Sequence, residues 1–264
     1  MQQVDIGIIG LGNMGGAIAE GLVPFADIKV RGYDPDPDRF NRLEAVAQDP
    51  DPLTVAEKSQ YLILAVKPGL ISAVTREVSP ALDADKCLVS VAAGIRMSRI
   101  AEACGRACPV VRVMPNTPTL VGQGVFALCL EDERLGEDKK EFLTAFFSRL
   151  GDVHVLPEEH FDAFTALIGS GPAYVYYFME SLIEAGVTLG LPRDKATSMV
   201  TSLVSGSVTM LKSQGGHPVL LKEQVSSPAG TTIIGLNELD RRRVKSAFIQ
   251  AVIRARDKSR EIGS

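Results

Sequence analysis

The chain has 264 residues, 45% apolar and 23% charged, with a net charge of −4. That length suits about two domains of roughly 150 residues and can bury a core without staples. No basic excess is present, which argues against a nucleic-acid groove as partner. No apolar run reaches the roughly 18 residues that span a bilayer. The start, MQQVDIGIIG, lacks a basic segment ahead of its apolar run, so no secretory signal is expected and the cytoplasm is the expected location. The chain has no Trp, three His and four Cys. Cys87, Cys104, Cys108 and Cys129 form no CxxC pair, and no His stands at ligand spacing to them, so no metal site is expected. Cys104 and Cys108, four apart on a predicted helix, read as two small buried thiols.

In chain order, short apolar runs predict strands at Val4–Ile9, Ile28–Tyr33, Tyr61–Val66, Cys87–Val91, Val110–Met114, Gly124–Leu130 and Val153–Leu156. Several are continuously apolar, as in strands buried on both faces. Helical patterns lie between the early ones, at Gly15–Val23, Asp38–Ala47 and Ser98–Cys104. Strand–helix–strand repetition predicts an α/β fold with a parallel, doubly wound sheet. After about residue 157 only helical patterns remain: Glu158–Ile168, Tyr174–Leu189, Lys195–Leu211, Pro218–Val225, Thr232–Leu239 and Arg241–Ile262. Inward stripes are expected from Ala196, Met199, Val200, Leu203, Val204 and Leu211, and from Val244, Ala247, Phe248, Ala251, Val252 and Ala255. The expected division is 1–157 for a Rossmann-type domain and 158–264 for an all-helical domain. About 100 helical residues bury such stripes poorly alone, which points to a dimer.

Gly10-Leu11-Gly12-Asn13-Met14-Gly15 is a GxGxxG loop between a predicted strand and a predicted helix. In that context Gly10 permits the tight turn, Gly12 the approach of a pyrophosphate, and Gly15 close helix–strand packing. Free N–H groups at the helix start would hold the diphosphate. Asp34 ends the second strand, where a carboxylate binds the ribose hydroxyls of NAD and repels the extra phosphate of NADP. Asp34 also suits the capping of the turn Pro35-Asp36-Pro37, and both roles can coexist.

Three further segments stand at predicted strand ends: Ala65-Val66-Lys67-Pro68, Ser90-Val91-Ala92-Ala93-Gly94 and Arg112-Val113-Met114-Pro115-Asn116-Thr117-Pro118. Ligands of open α/β sheets bind outside those ends. In the helical part, Thr165-Ala166-Leu167-Ile168-Gly169-Ser170-Gly171-Pro172-Ala173-Tyr174 and Val225-Ser226-Ser227-Pro228-Ala229-Gly230-Thr231-Thr232 concentrate small and hydroxyl residues. The latter precedes a helix, whose free N–H groups suit a carboxylate. The plainer reading makes Ser227 and Thr231 simple N-caps.

Taken together, these segments resemble the pyrroline-5-carboxylate reductase family over nearly the full chain. The last two are the most specific. The resemblance implies an N-terminal Rossmann domain, a helical dimerisation domain, and reduction of 1-pyrroline-5-carboxylate to L-proline by NAD(P)H, the last step of proline biosynthesis. It implies a homodimer at least, with higher assemblies such as a pentamer of dimers. It also implies that Ile9, Gly10, Leu11, Gly12, Asn13 and Met14 hold the pyrophosphate. Ala65, Val66, Lys67 and Pro68, with Val91, Ala92, Ala93 and Asn116, would border the nicotinamide. Ser227, Gly230, Thr231 and Thr232 would bind the substrate, the loop coming from the partner subunit or lying across the dimer interface. Thr232 would face the ring nitrogen, where it orients rather than protonates, a hydroxyl being too weak an acid. Lys67 would favour the anionic substrate. The chain departs from the family pattern at Asp34 and at Gln48-Asp49-Pro50-Asp51-Pro52, which lacks an Asn; both set NADP preference in question, and Asp34 suggests NADH. The alternatives are a non-catalytic NAD(H)-binding regulator and a reductase of another cyclic imine or a β-hydroxyacid. The latter would need a lysine near GSGPAY, and none occurs between Lys140 and Lys195.

Overall fold

A computed structural model describes residues 3 to 263. Residues up to Ser170, together with 255–264, form one compact unit, and Gly171–Arg254 form another. The first unit is built on a sheet of eight strands in the order β3-β2-β1-β4-β5-β6-β7-β8. These are β1 (Val4–Ile9), β2 (Ile28–Tyr33), β3 (Ala47–Gln48), β4 (Tyr61–Leu64), β5 (Cys87–Ser90), β6 (Val110–Met114), β7 (Gly124–Cys129) and β8 (Gly151–Val155). Strands β1 to β6 are parallel, with β1 pairing β2 on one side and β4 on the other. Direction reverses once: β7 runs antiparallel to β6, and β8 parallel to β7. The parallel, doubly wound sheet expected from the alternation forms, with this one reversal at its β7 side. A short turn at Thr117–Val121 joins β6 to β7, and without a crossover helix the chain can only return antiparallel.

Both faces of the sheet are buried, which explains its continuous apolar runs. Ile6 and Ile8 of β1 enter one core cluster with Phe126, Phe146 and Phe147, while Ile9 enters the other with Leu62, Leu64 and Phe161. On β5, Val89 joins the first and Leu88 the second. Alternation of side chains along a strand divides its residues between the two layers. The covering helices are α1 (Asn13–Leu22), α2 (Pro52–Glu57), α3 (Ile71–Val78), α4 (Met97–Ala103) and α5 (Glu137–Ser148).

The helix predicted over Asp38–Ala47 does not form. Pro37–Arg42 is a 3₁₀ turn, capped by the Asp36 side chain on the Asp38 N–H, and Ala47–Gln48 adds a short edge strand to β2. Leu43 and Val46 are buried in the first cluster, so tertiary anchoring overrides a weak local propensity. Asp49, just beyond β3, is held by Arg31 and Lys58, each at 2.8 Å. Cys108 is not on a helix with Cys104. α4 ends at Ala103 with Cys104 as its C-cap, and Gly105 (φ 61°) and Arg106 (φ 57°) then turn the chain. All four cysteines are free and buried, and burial pushes the Cys87 thiol up to about 12.

Residues 158–170 pack with the first unit. Glu158 accepts the Met97 N–H at 2.7 Å and an Arg112 Nη1 donor at 3.1 Å, and Phe161 and Phe164 are buried in the second cluster. The single helix predicted there is a 3₁₀ turn at Glu158–His160, a short α6 (Phe161–Phe164) and a π turn at Thr165–Gly169.

The second unit contains α7 (Gly171–Thr188), α8 (Arg193–Gln214), α9 (Pro218–Gln224), α10 (Thr231–Arg241) and the first part of α11 (Val244–Gly263). Its expected inward stripes are only partly buried. Ala196 and Val200 are buried, but Met199 is 56% and Leu203 57% exposed, and Ala247, Phe248 and Ala251 are exposed. Few layers stack on these helices within one chain, so their apolar faces stay open.

Candidate active site

Every residue expected at the cofactor lies at the carboxyl end of a strand in the first unit. The glycine loop follows β1, Asp34 follows β2, Ala65–Pro68 follow β4, Val91–Ala93 follow β5 and Asn116 follows β6. Strand order changes direction at β1, with β2 on one side and β4 on the other, and this is the switch point where such sheets bind ligands.

The loop is shaped for a dinucleotide. Gly10 has φ 92°, a left-handed conformation that side chains disfavour, and a Cβ there would stand 2.8 Å from the Ala65 carbonyl oxygen. A Cβ on Gly15 would overlap the Gly10 carbonyl. Gly12 differs, since a Cβ on it would meet nothing within 4 Å. The space beside it is open. Gly12 is also the N-cap of α1 and supplies no side-chain cap. The first N–H groups of α1 thus face the same open space at the positive end of the helix, and this fits a diphosphate.

Asp34 does two jobs in the fold. Its Oδ2 accepts the Leu11 N–H at 2.7 Å, and its Oδ1 accepts the Asp36 N–H at 3.0 Å. It thus ties the glycine loop to the end of β2 and closes the turn that follows. Leu11 contributes that N–H, while its side chain is fully buried. Ile9, Val91 and Ala92 are also buried, so these positions offer backbone and shape to a ligand. Asn13 and Lys67 are exposed, and Lys67 stands just past the end of β4. Asn116 is buried and its amide is engaged: Oδ1 accepts the Val125 N–H at 2.9 Å, and Nδ2 donates to the Ile168 carbonyl at 3.4 Å. It braces the β6 end against β7 and the π turn.

The substrate-loop residues gather in the second unit. The Gly230 N–H donates to the Ser227 carbonyl at 3.1 Å, and Ala229 adopts φ 54°. A Cβ on Gly230 would strike the Ser227 hydroxyl. Gly230 itself is the N-cap of α10, without a side-chain cap. Ser227 and Thr231 are therefore not simple caps, and the leading N–H groups of α10 carry no side-chain cap. Thr232 is half-buried on the first turn. A compact hydroxyl-lined loop before uncapped N–H groups can hold a carboxylate by hydrogen bonds and helix field together.

Arg112 and Glu158 form a contact in the first unit that sequence spacing does not indicate. Arg112 is buried, pairs with Glu158 and lies 4.8 Å over the Phe161 ring. A charged residue inside an apolar strand run was the available signal, since buried charges need partners.

Comparison with known proteins agrees with both halves. Residues 158–262 match the model for pyrroline-5-carboxylate reductase dimerisation, and residues 5–94 match that for NADP oxidoreductase, coenzyme F420-dependent. Pyrroline-5-carboxylate reductase of Glycine max is 36% identical, over 99% of this chain and 97% of that protein. The Escherichia coli protein of the same name is 34% identical, over 97% of each. The crystal structure of the Plasmodium falciparum pyrroline carboxylate reductase with NADP bound superposes with a TM-score of 0.91 at 34% identity, covering 100% of both chains. Full-length likeness to such relatives, in both the glycine-loop unit and the helical unit, makes this chain a member of the pyrroline-5-carboxylate reductase family.

Proposed function

We infer that the protein reduces 1-pyrroline-5-carboxylate to L-proline with NAD(P)H, the last step of proline biosynthesis. The observation that carries this reading is the Ser227–Thr232 loop with its uncapped α10 start, the feature that suits a small cyclic carboxylate. When bound, the cofactor supplies the hydride. The chain supplies position and field. N–H groups at the start of α1 hold the diphosphate, and Asp34 takes the ribose hydroxyls with its remaining lone pairs. Ala65–Pro68, Val91–Ala93 and Asn116 wall the nicotinamide pocket. Ser227, Gly230, Thr231 and the N–H groups behind them hold the substrate carboxylate, and Lys67 adds positive field. Thr232 hydrogen-bonds the ring nitrogen and orients it. The imine is protonated before reduction, so no strong acid is required of the chain.

NADH is used at least as well as NADPH in this reading. Asp34, Asp36 and Asp38 crowd the end of β2, and the nearby cations are already paired, Arg39 with Asp36 at 3.1 Å and Arg42 with Glu20 at 3.3 Å. A 2′-phosphate would meet acids there without a free arginine. The working unit is a homodimer at least, in line with the open apolar faces of α8 and α11, and a pentamer of dimers is the larger assembly proposed. The cytoplasm is the proposed location.

Cofactor oxidation followed at 340 nm with 1-pyrroline-5-carboxylate, in parallel with NADH and NADPH, tests both statements. Turnover is expected with both cofactors. A hundredfold preference for NADPH would refute the cofactor assignment. Tight NADH binding with no turnover would instead indicate a non-catalytic regulator.

A further inference from the structure

A cavity of about 470 Å³ opens in the first unit between the start of α4, β6, the Glu158–Asp162 segment and the end of α11. Its charged lining is Arg96, Arg112, Glu158, Glu159, Asp162 and Arg260, and none of the residues assigned above to cofactor or substrate borders it. Arg112 is the unusual member. Its side chain is 4% exposed, yet of its five N–H donors only Nη1 makes a hydrogen bond, to Glu158 Oε1 at 3.1 Å. The other buried arginine, Arg31, has carboxylates on two sides, Asp5 and Asp49. The sealed polar atoms without a partner, among the described residues, include none of Arg112, so its spare donors face the cavity. A buried guanidinium short of partners is costly.

The charges around it are unevenly used. Arg96 is exposed at the N-cap of α4 and pairs with no acid among the described residues. Arg260 stands 3.8 Å from Asp162, whose other oxygen accepts the Ser259 hydroxyl at 2.7 Å. Glu158 spends one oxygen on Arg112 and the Met97 N–H and keeps the other. Glu159 has only His160, at 3.8 Å. What remains open is therefore mostly guanidinium, with the Glu159 carboxylate and the second oxygen of Glu158 beside it. A simple anion would meet those acids, and a simple cation would meet three arginines. Two carboxylates and one ammonium on a short carbon chain answer both, since guanidinium forks match carboxylates in shape and charge. We propose that this cavity binds a free dicarboxylic amino acid, its carboxylates on Arg96, Arg112 and Arg260 and its ammonium on Glu159 and Glu158. The site is separate from the reductase reading and does not depend on it.

The test is equilibrium dialysis of the full-length protein against radiolabelled L-glutamate. Glutarate, which lacks the ammonium, and L-norvaline, which lacks the second carboxylate, serve as competitors. L-Glutamate should bind once per chain, and both competitors about tenfold or more weaker, the worth of one charge-assisted hydrogen bond. Arg96→Gln is an exposed change that leaves the Arg112–Glu158 pair in place. It should weaken L-glutamate by a similar factor at unchanged Tm. Glu159→Gln should weaken L-glutamate and narrow its advantage over glutarate. Ser227→Ala, in the α10 loop, should bind L-glutamate as the wild type does. Absence of saturable binding to the wild type overturns the proposal, as does equal affinity in Arg96→Gln. A loss in Ser227→Ala rather than in Arg96→Gln would place the ligand at the α10 loop and overturn it too. Glutarate or L-norvaline binding as tightly as L-glutamate would overturn the amino-acid class, because the acids or the spare guanidiniums would then have no part.

Discussion

Asp34 joins the glycine loop to the turn after β2 and, in the proposed reading, keeps lone pairs for the ribose hydroxyls. Two of its lone pairs take the Leu11 and Asp36 N–H groups, and an ionised carboxylate has about four such sites. Asp34→Ser is expected to loosen the glycine loop and remove the charge that opposes a 2′-phosphate. The ratio of kcat/KM for NADPH over NADH should rise at least about tenfold, about 1.4 kcal/mol, in steady-state kinetics with both cofactors; an unchanged ratio would deny Asp34 a part in discrimination. Thr232 belongs to the same scale. Its hydroxyl lies on the first turn of α10, where the N–H groups are uncapped. Thr232→Ala should lower kcat about tenfold or more while leaving NADH affinity intact. Identical kinetics would remove its orienting role.

Among elements, the edge of the sheet is the sensitive part. β3 pairs with β2 through only Arg31↔Ala47 and Gly32↔Gln48, and what fastens it is Asp49 between Arg31 and Lys58. Burial by itself would raise the Asp49 carboxyl, but hydrogen bonds from Lys58 and Arg31 outweigh it and hold the group below the ordinary carboxylate range. A folded pKa below the unfolded value of about 3.9 means the stabilisation is complete above that value. It is lost as pH falls through the lower folded pKa. Asp49→Ala leaves buried Arg31 short of its main partner and should cost about 3 kcal/mol near pH 7. The gap between wild type and variant should close on acidification below about pH 4. Denaturant melts at several pH values check this, and a gap independent of pH would show that charge is not its source.

For the whole molecule, burial is divided unevenly. The first unit hides its large side chains on both faces of the sheet, whereas Tyr176, Tyr177, Leu203 and Ile234 of the second are each more than half exposed. Apolar faces of this extent mark association surfaces. Leu203→Glu should therefore shift sedimentation toward a smaller species and cut reductase activity at least about tenfold, a charge at such an interface being strongly disfavoured. An unchanged sedimentation coefficient would exclude Leu203 from the interface.

Much of this was legible in the residues. Continuous apolar runs marked β1, β2 and β6 with their observed bounds, and the glycine spacing located the β1–α1 turn, because strand burial and helix-start chemistry are local and carry a period. Sequence also identified the family, since the segments at Thr165–Tyr174 and Val225–Leu236 are specific to it. Three things needed the tertiary structure. The segment after β2 became a 3₁₀ turn and an edge strand because Leu43, Val46 and Asp49 found partners far along the chain. The antiparallel entry of β7 depended on which edge remained open beside β6. The break of the expected helix at Glu158–Ile168 into a 3₁₀ turn, α6 and a π turn depended on the burial of Phe161 and Phe164 against the sheet. Local pattern determines which elements form and which chemistry they carry. Long-range packing decides how a marginal element folds and where a strand reverses, because those outcomes turn on partners that sequence spacing does not encode.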